Sequence, residues 1–308
     1  MEVLSKLRDP TSRLAKTLSG LLALLLFGFL FISVISGFLL YQILRPTRTS
    51  TTFDLSVMMG HPTKFSFPAN GAMRDGWFFP GLRAAPTVVV CHGYHSQRAD
   101  VLTLVSALQD HGFNVFTFDF TGHGSSPGVT TLGYGESDEL RSAVEALAKR
   151  DDVDRRRFGL WGVDMGGYAV AEVAESSPRI AAFAVDDAYA DPRDMVQIQV
   201  AHSGLAVLPL VGHFSDFEFR VLNYSFRDQP TVSARLWKTA GTPKLFIQSE
   251  DHLELADDTL KMFAAAPGPK QIVSDSLSYS DMSDDDRRNY ESLIANFFLK
   301  NIPPVSAP

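Results

Sequence analysis

Between Leu18 and Leu44 no residue is charged, and Leu, Phe, Ile and Val dominate the run. In a helix rising about 1.5 Å per residue, such a run crosses the roughly 30 Å hydrocarbon core of a bilayer with room for tilt. A cleavable signal peptide has an apolar core of about 7 to 15 residues and a small-residue exit. Here Tyr41-Gln42-Ile43-Leu44 leads into Arg45-Pro46 instead, so the pattern predicts an uncleaved transmembrane anchor over 18–44 after a basic tail, 1–17. Lys6, Arg8, Arg13 and Lys16 precede the run and Arg45 and Arg48 follow it, a bias that places the N-terminus in the cytoplasm and the remaining chain outside it.

Beyond a polar connector, 45–62, apolar runs alternate with helical patterns. Lys64 to Phe67 and Gly76 to Phe79 flank Ala69-Asn70-Gly71, a hairpin signature because Asn-Gly accepts positive φ. Buried strands are predicted at Thr87 to Cys91, Val115 to Phe118, Phe158 to Trp161, Ile180 to Val185, Lys244 to Gln248 and Gln271 to Val273. Between them, Val101, Leu104, Val105 and Leu108 share one helix face, and Leu140, Val144 and Leu147 another. Strands separated by helices imply a mostly parallel sheet covered on both faces, here one α/β domain over 63–300 with a tail at 301–308. The interval 189–240 breaks the rhythm and reads as an insertion capping the C-terminal edge of the sheet, where ligands bind in such folds.

Charge narrows the function classes. The chain of 308 residues has a formal net charge of -7. Its first 48 residues carry six basic and two acidic side chains, so the acidic excess lies in the domain and disfavours a nucleic-acid partner. Cys91 is the single cysteine, which excludes an intramolecular disulfide and a Cys-cluster metal site. Neither a cofactor nor a resident metal is expected.

The chemistry concentrates where a hydrophobic strand, Phe158 to Trp161, runs into Gly162-x-Asp164-x-Gly166 and then a helix rich in alanine. Glycines two positions either side of a central residue permit the cramped strand-turn-helix bend of a nucleophile elbow, here with Asp in place of the usual Ser. Val88-Val-Val-Cys-His92-Gly93-Tyr94 and Phe118-Asp119-Phe-Thr-Gly122-His123-Gly124 are strands that end in further glycine turns. With Thr131-Leu-Gly-Tyr134, these motifs make residues 50 to 300 resemble the α/β-hydrolase superfamily, specifically its serine-aminopeptidase-like, membrane-anchored branch.

The resemblance implies the nucleophile position at Asp164 and oxyanion-hole amides on Tyr94 and Met165. It places the triad acid at Asp251, with Glu250 as a near miss. The triad histidine position falls on Tyr279, or on Ser280 if the register slips by one, because no histidine follows His252. Haloalkane dehalogenases and epoxide hydrolases use an Asp nucleophile on this fold, but they open the resulting ester with a base near neutral pH. Tyrosine, unperturbed near 10, does that poorly.

His252 and His95 are expected near the sheet edge in structural or solvated roles, and His92, His123, Ser125 and Ser126 as turn residues. Asp164, Asp186, Asp187, Asp191 and Asp251 offer a second possibility, a Ca²⁺ or Mg²⁺ site, against the simpler account of capping and loop-amide contacts. The sequence thus predicts a membrane-anchored hydrolase scaffold that lacks serine-hydrolase activity, a pseudoenzyme binding an unidentified small-molecule or protein ligand. The alternative is an active hydrolase, either an Asp-nucleophile dehalogenase or epoxide-hydrolase type using His252 or a residue of the insertion as base, or an unconventional ester or peptide hydrolase.

Overall fold

The computed structural model describes residues 13–49, 51, 61–205 and 208–304. Lys6 and Arg8 of the basic tail, residues 52–60 of the connector and the last four residues lie outside these. In chain order the elements are α1 (Arg13–Ile43), β1 (Thr63–Ala69), β2 (Ala72–Phe79), β3 (Ala85–Cys91), α2 (Leu102–Asp110), β4 (Asn114–Phe118), α3 (Tyr134–Leu147) and β5 (Val153–Val163). They continue with α4 (Met165–Ser176), β6 (Ile180–Asp186), α5 (Pro192–His202), α6 (Pro209–Leu222), α7 (Val232–Arg235), β7 (Lys244–Ser249), α8 (Leu253–Ala265), β8 (Lys270–Asp275) and α9 (Asp284–Asn301). The chain divides into two compact units, Met1–Ile43 with Val196–Tyr224, and Leu44–Met195 with Ser225–Pro308.

The larger unit is an eight-stranded sheet in the order β1-β2-β4-β3-β5-β6-β7-β8. Pairing is parallel from β4 through β3 to β8 and antiparallel for β1 with β2 and β2 with β4. The β1-β2 hairpin turns on Asn70 and Gly71, whose φ values of 49° and 75° are the positive angles that Asn-Gly tolerates. β3 and β4 are buried along their whole length, as strands covered on both faces must be. β5 is longer than its hydrophobic centre predicts, because the charged stretch Asp154-Arg155-Arg156-Arg157 also joins the strand. On one face Val101, Leu104, Val105 and Leu108 pack with Trp161, Tyr279, Tyr290 and Phe298 in a continuous core. Within it the Trp161 indole N–H donates to the Tyr290 hydroxyl at 3.0 Å, and that hydroxyl donates to Asp186 Oδ2 at 2.6 Å.

The smaller unit contains α1, which begins at Arg13, five residues before the charge-free run, so that Arg13 and Lys16 form its first turns. Its 31 residues reach about 46 Å. An 18-residue stretch with mean hydropathy 2.6 is wholly unburied, as expected of a helix that can cross a membrane. The interval 189–240 is helical, holding α5, α6 and α7, and its middle part groups with α1. Hydropathy gives no sign of that grouping, because α6 carries Asp216, Glu218 and Arg220 among its apolar residues.

Candidate active site

The bend after β5 places Asp164 at φ 41° and ψ -105°, a conformation costly for a residue with a Cβ. The flanking glycines are what make room for it. A Cβ on Gly162 would meet the Gly166 carbonyl oxygen at 2.4 Å, and one on Gly166 would meet the His92 oxygen at 2.5 Å. The bend is tied to the neighbouring strand by the Asp164 N–H, which donates to the Asp186 carbonyl at 2.9 Å.

The side chain of Asp164 does not simply project into solvent. Its Oδ1 accepts the Tyr94 amide at 2.7 Å and, more closely, the Met165 amide. The two N–H groups that the resemblance assigns to an oxyanion hole therefore converge on one oxygen of the nucleophile-position carboxylate. Gly93 allows this approach, since a Cβ there would lie 2.3 Å from Asp164 Oδ2. Burial raises the Asp164 pKa to about 7, against the opposing pull of the two amides and of the nearby His252 charge.

Asp251 and Tyr279 are not joined as a relay. Both Asp251 oxygens accept the Ser278 amide, at 2.8 and 3.0 Å. Burial pushes the Asp251 pKa up, but the Ser278 and Ser249 hydrogen bonds and the His252 charge outweigh it and hold the carboxyl below its ordinary range. Tyr279 is buried, with its hydroxyl 3.0 Å from Thr103 Oγ1 and donating to Glu291 at 3.1 Å. Its ring lies 5.3 Å from Trp161 and 5.2 Å from Tyr290. Burial and the Glu291 charge push its pKa further above the usual phenol value, so it cannot act as a base near neutral pH. Ser280 is exposed and bonds to Ser278 and Asp281.

Sequence reasoning missed a different pair. His252 Nδ1 lies 3.4 Å from Asp187 Oδ2, and the hydrogen bond it donates to Asp187 is the largest cause raising the imidazole pKa to about 9. Asp187 itself is buried at φ 45° and accepts both the Ser249 amide, at 2.8 Å, and the Ser249 hydroxyl. The pair forms because β6 and β7 run parallel in a register that sets Asp186 opposite Ile247, bringing the residues after each strand together. The available signal was that both residues follow predicted strands at the C-terminal edge.

Asp187, Asp251 and His252 place their ligand-type atoms within 4.8 Å of one another. Within the trio, Asp187 accepts from Ser249 and contacts the imidazole, and Asp251 accepts the Ser278 amide. Asp186 instead accepts from Tyr290, and Asp191 pairs with Arg193 at 2.7 Å. His92 and His123 bond local carbonyls through Nδ1, at 2.8 and 3.1 Å, and Ser125 and Ser126 bond Asp119 within their turn.

A cavity of about 450 Å³ opens over Asp164, lined also by Tyr94, His95, His252, Ser280 and Arg287. A mostly parallel sheet in this strand order, an elbow after β5 and a cavity at the strand ends define an α/β-hydrolase fold. The family model for the alpha/beta hydrolase family matches residues 88–297, and the chain belongs to that family. Among its relatives, the uncharacterized protein YfhR of Escherichia coli O157:H7 is 26% identical over 245 residues, 76% of this chain and 79% of that protein. The uncharacterized protein Rv2307c of Mycobacterium tuberculosis is 32% identical over 111 residues, 35% of this chain and 39% of its own. The Pyrococcus furiosus esterase Pf2001 superposes with a TM-score of 0.67 at 18% identity, covering 84% of this chain and 99% of the esterase. The Pyrococcus horikoshii acylaminoacyl peptidase does so at 0.61 and 17%, covering 80% of this chain and 42% of the peptidase.

Proposed function

We propose that this is a membrane-anchored α/β-hydrolase-fold protein that has lost serine-hydrolase chemistry and uses the cavity over Asp164 to bind a small anionic ligand. The observation that carries the reading is the Asp164 carboxylate in the amide pair that would otherwise hold a substrate carbonyl oxygen. Position 164 offers no hydroxyl, and the histidine position holds a buried tyrosine bonded to Thr103 and Glu291. Cationic side chains border the cavity. His252 is protonated at neutral pH, and Arg287 lies over the Tyr279 ring at 5.4 Å and makes long hydrogen bonds of 3.3 to 3.4 Å to backbone oxygens. These two charges attract an anionic group on a ligand in the cavity.

The full chain in detergent tests this. It should leave p-nitrophenyl esters intact, escape fluorophosphonate labelling, and bind benzoate with affinity that falls as pH rises through about 7, where Asp164 ionises, and again toward 9, where His252 loses its proton. Ester turnover abolished by Asp164→Asn would overturn the reading.

The Asp187-His252 pair favours a second reading, an Asp-nucleophile hydrolase. Oδ2 of Asp164 would displace a halide from an alkyl carbon, forming a C–O bond and releasing the anion. Water would then attack Cγ, with Oδ1 taking the negative charge between the Tyr94 and Met165 amides and the water proton passing to neutral His252. Collapse restores the carboxylate and releases the alcohol. With an imidazole pKa of about 9, the ester should persist at pH 7 and clear faster toward pH 9. An alkyl adduct on Asp164, seen by intact mass, would establish this reading in place of the first.

A further inference from the structure

α6 packs beside α1 in a constant parallel register. Phe29 and Phe214 meet edge to face at 5.1 Å, and Ser33 Oγ donates to Glu218 Oε1 at 2.9 Å, each pair offset by 185 residues. Ser36 Oγ donates to the second Glu218 oxygen at 3.0 Å. Gly37 lies beside the same carboxylate, where a Cβ would make ordinary contact with Glu218 Oε2 at 3.6 Å.

That register fixes depth. If α1 spans a bilayer, about 20 of its residues occupy the hydrocarbon. Suppose the window starts as early as Leu14, with Lys16 snorkelling to the headgroups, or as late as Leu25. Every such window contains residues 25 to 33, and with an offset of 185 these lie level with residues 210 to 218. The chemistry of α6 agrees with that depth. Leu208 just before it and Leu210, Phe217, Val221 and Leu222 within it are exposed, and the stretch Ser203 to Gly212 has no charged residue. The acidic side chains of the helix have partners, Asp216 with Arg220 at 2.6 Å and Glu218 with the two serine hydroxyls, as polar groups at that depth need.

We propose that α6 is a second membrane-inserted element, with Leu208, Leu210 and Phe217 against acyl chains and Arg220 held by Asp216. The proposal rests on reading α1 as a span, and the test separates the two. Single cysteines are placed by Leu25→Cys, Leu210→Cys, Phe217→Cys and Asp257→Cys in the full chain, whose native Cys91 is buried. Each is labelled with bimane and reconstituted into phosphatidylcholine and phosphatidylglycerol vesicles containing acyl-chain spin-labelled lipid. Probes at 25, 210 and 217 should lose most of their fluorescence to the spin label, and the probe at 257 should keep it. Quenching at 25 without quenching at 210 and 217 overturns the proposal and leaves the span intact. No quenching at any of the three overturns both. Probes at 210 and 217 that are unquenched yet shielded from a water-soluble quencher mean that protein covers α6, which also overturns it.

Discussion

Replacing Asp164 by Asn isolates the cost of the carboxylate in the amide pair. The carboxamide would keep an oxygen for the Tyr94 and Met165 amides while removing the titration. In the folded chain the Asp164 pKa is about 7, against an ordinary 3.8, chiefly because burial disfavours the charged form. The folded state therefore holds the proton more tightly than the unfolded state. Stability from this group is fully present below about 3.8, falls as pH rises, and is gone above about 7. A gap of about 3 pKa units corresponds to about 4 kcal/mol at 1.36 kcal/mol per unit. The variant should match the parent near pH 4 and exceed it by up to about 4 kcal/mol at pH 8.5. At about 2 to 4 °C per kcal/mol for a domain of this size, the difference in Tm is roughly 8 to 16 °C. Thermal unfolding of both full chains in the same detergent, followed by near-ultraviolet circular dichroism from pH 4 to 9, measures it. A difference constant across pH, or a variant less stable throughout, would refute the reasoning by showing that Asp164 ionises in the hole at an ordinary pKa.

The same assay reads the opposite sign at His252, whose folded pKa of about 9 lies above the ordinary 6.5. His252→Gln should be less stable than the parent below pH 6.5 and converge with it as pH passes 9, whereas a constant deficit would mean a packing effect alone. Asp164→Ser should free both amides yet gain little ester hydrolysis. Adding Tyr279→His should produce turnover that neither single variant shows, unless the ring stays in its core slot, in which case Ser280→His is the remaining position to test. Tyr279→His alone should cost about 1 to 3 kcal/mol by denaturant unfolding, because Thr103 and Glu291 lose their buried partner.

Local rules were legible where a local cause sets the structure. Asn70-Gly71 predicts its hairpin, and Gly162 and Gly166 predict the elbow, because each effect is decided within a few residues. Burial patterns also locate the strand centres, although the charged start of β5 hides its length. Contacts set by tertiary register were not legible. Asp187 and His252 meet only through the β6-β7 pairing, and the Tyr279 hydroxyl turns to Thr103 and Glu291 only once α2 and α9 have packed. Glu218 reads in isolation as a mark of a solvated helix, whereas Ser33 and Ser36 accommodate it against α1.

The hydrogen bonds from Trp161 through Tyr290 to Asp186 have a fixed polarity. An indole nitrogen can only donate, so Tyr290 must receive that hydrogen and send its own onward to Asp186. The row has one direction, from the core toward the sheet edge beside Asp187. Burial, reinforced by the Asp187 charge, pushes the Asp186 pKa well above the ordinary carboxylate range, against the lowering effect of the hydrogen bond from Tyr290. Replacing Trp161 by Phe would remove the donor that fixes this direction and free the tyrosine hydroxyl to reverse. The indole therefore acts on the sheet edge through the orientation of hydrogens as well as through its packing volume.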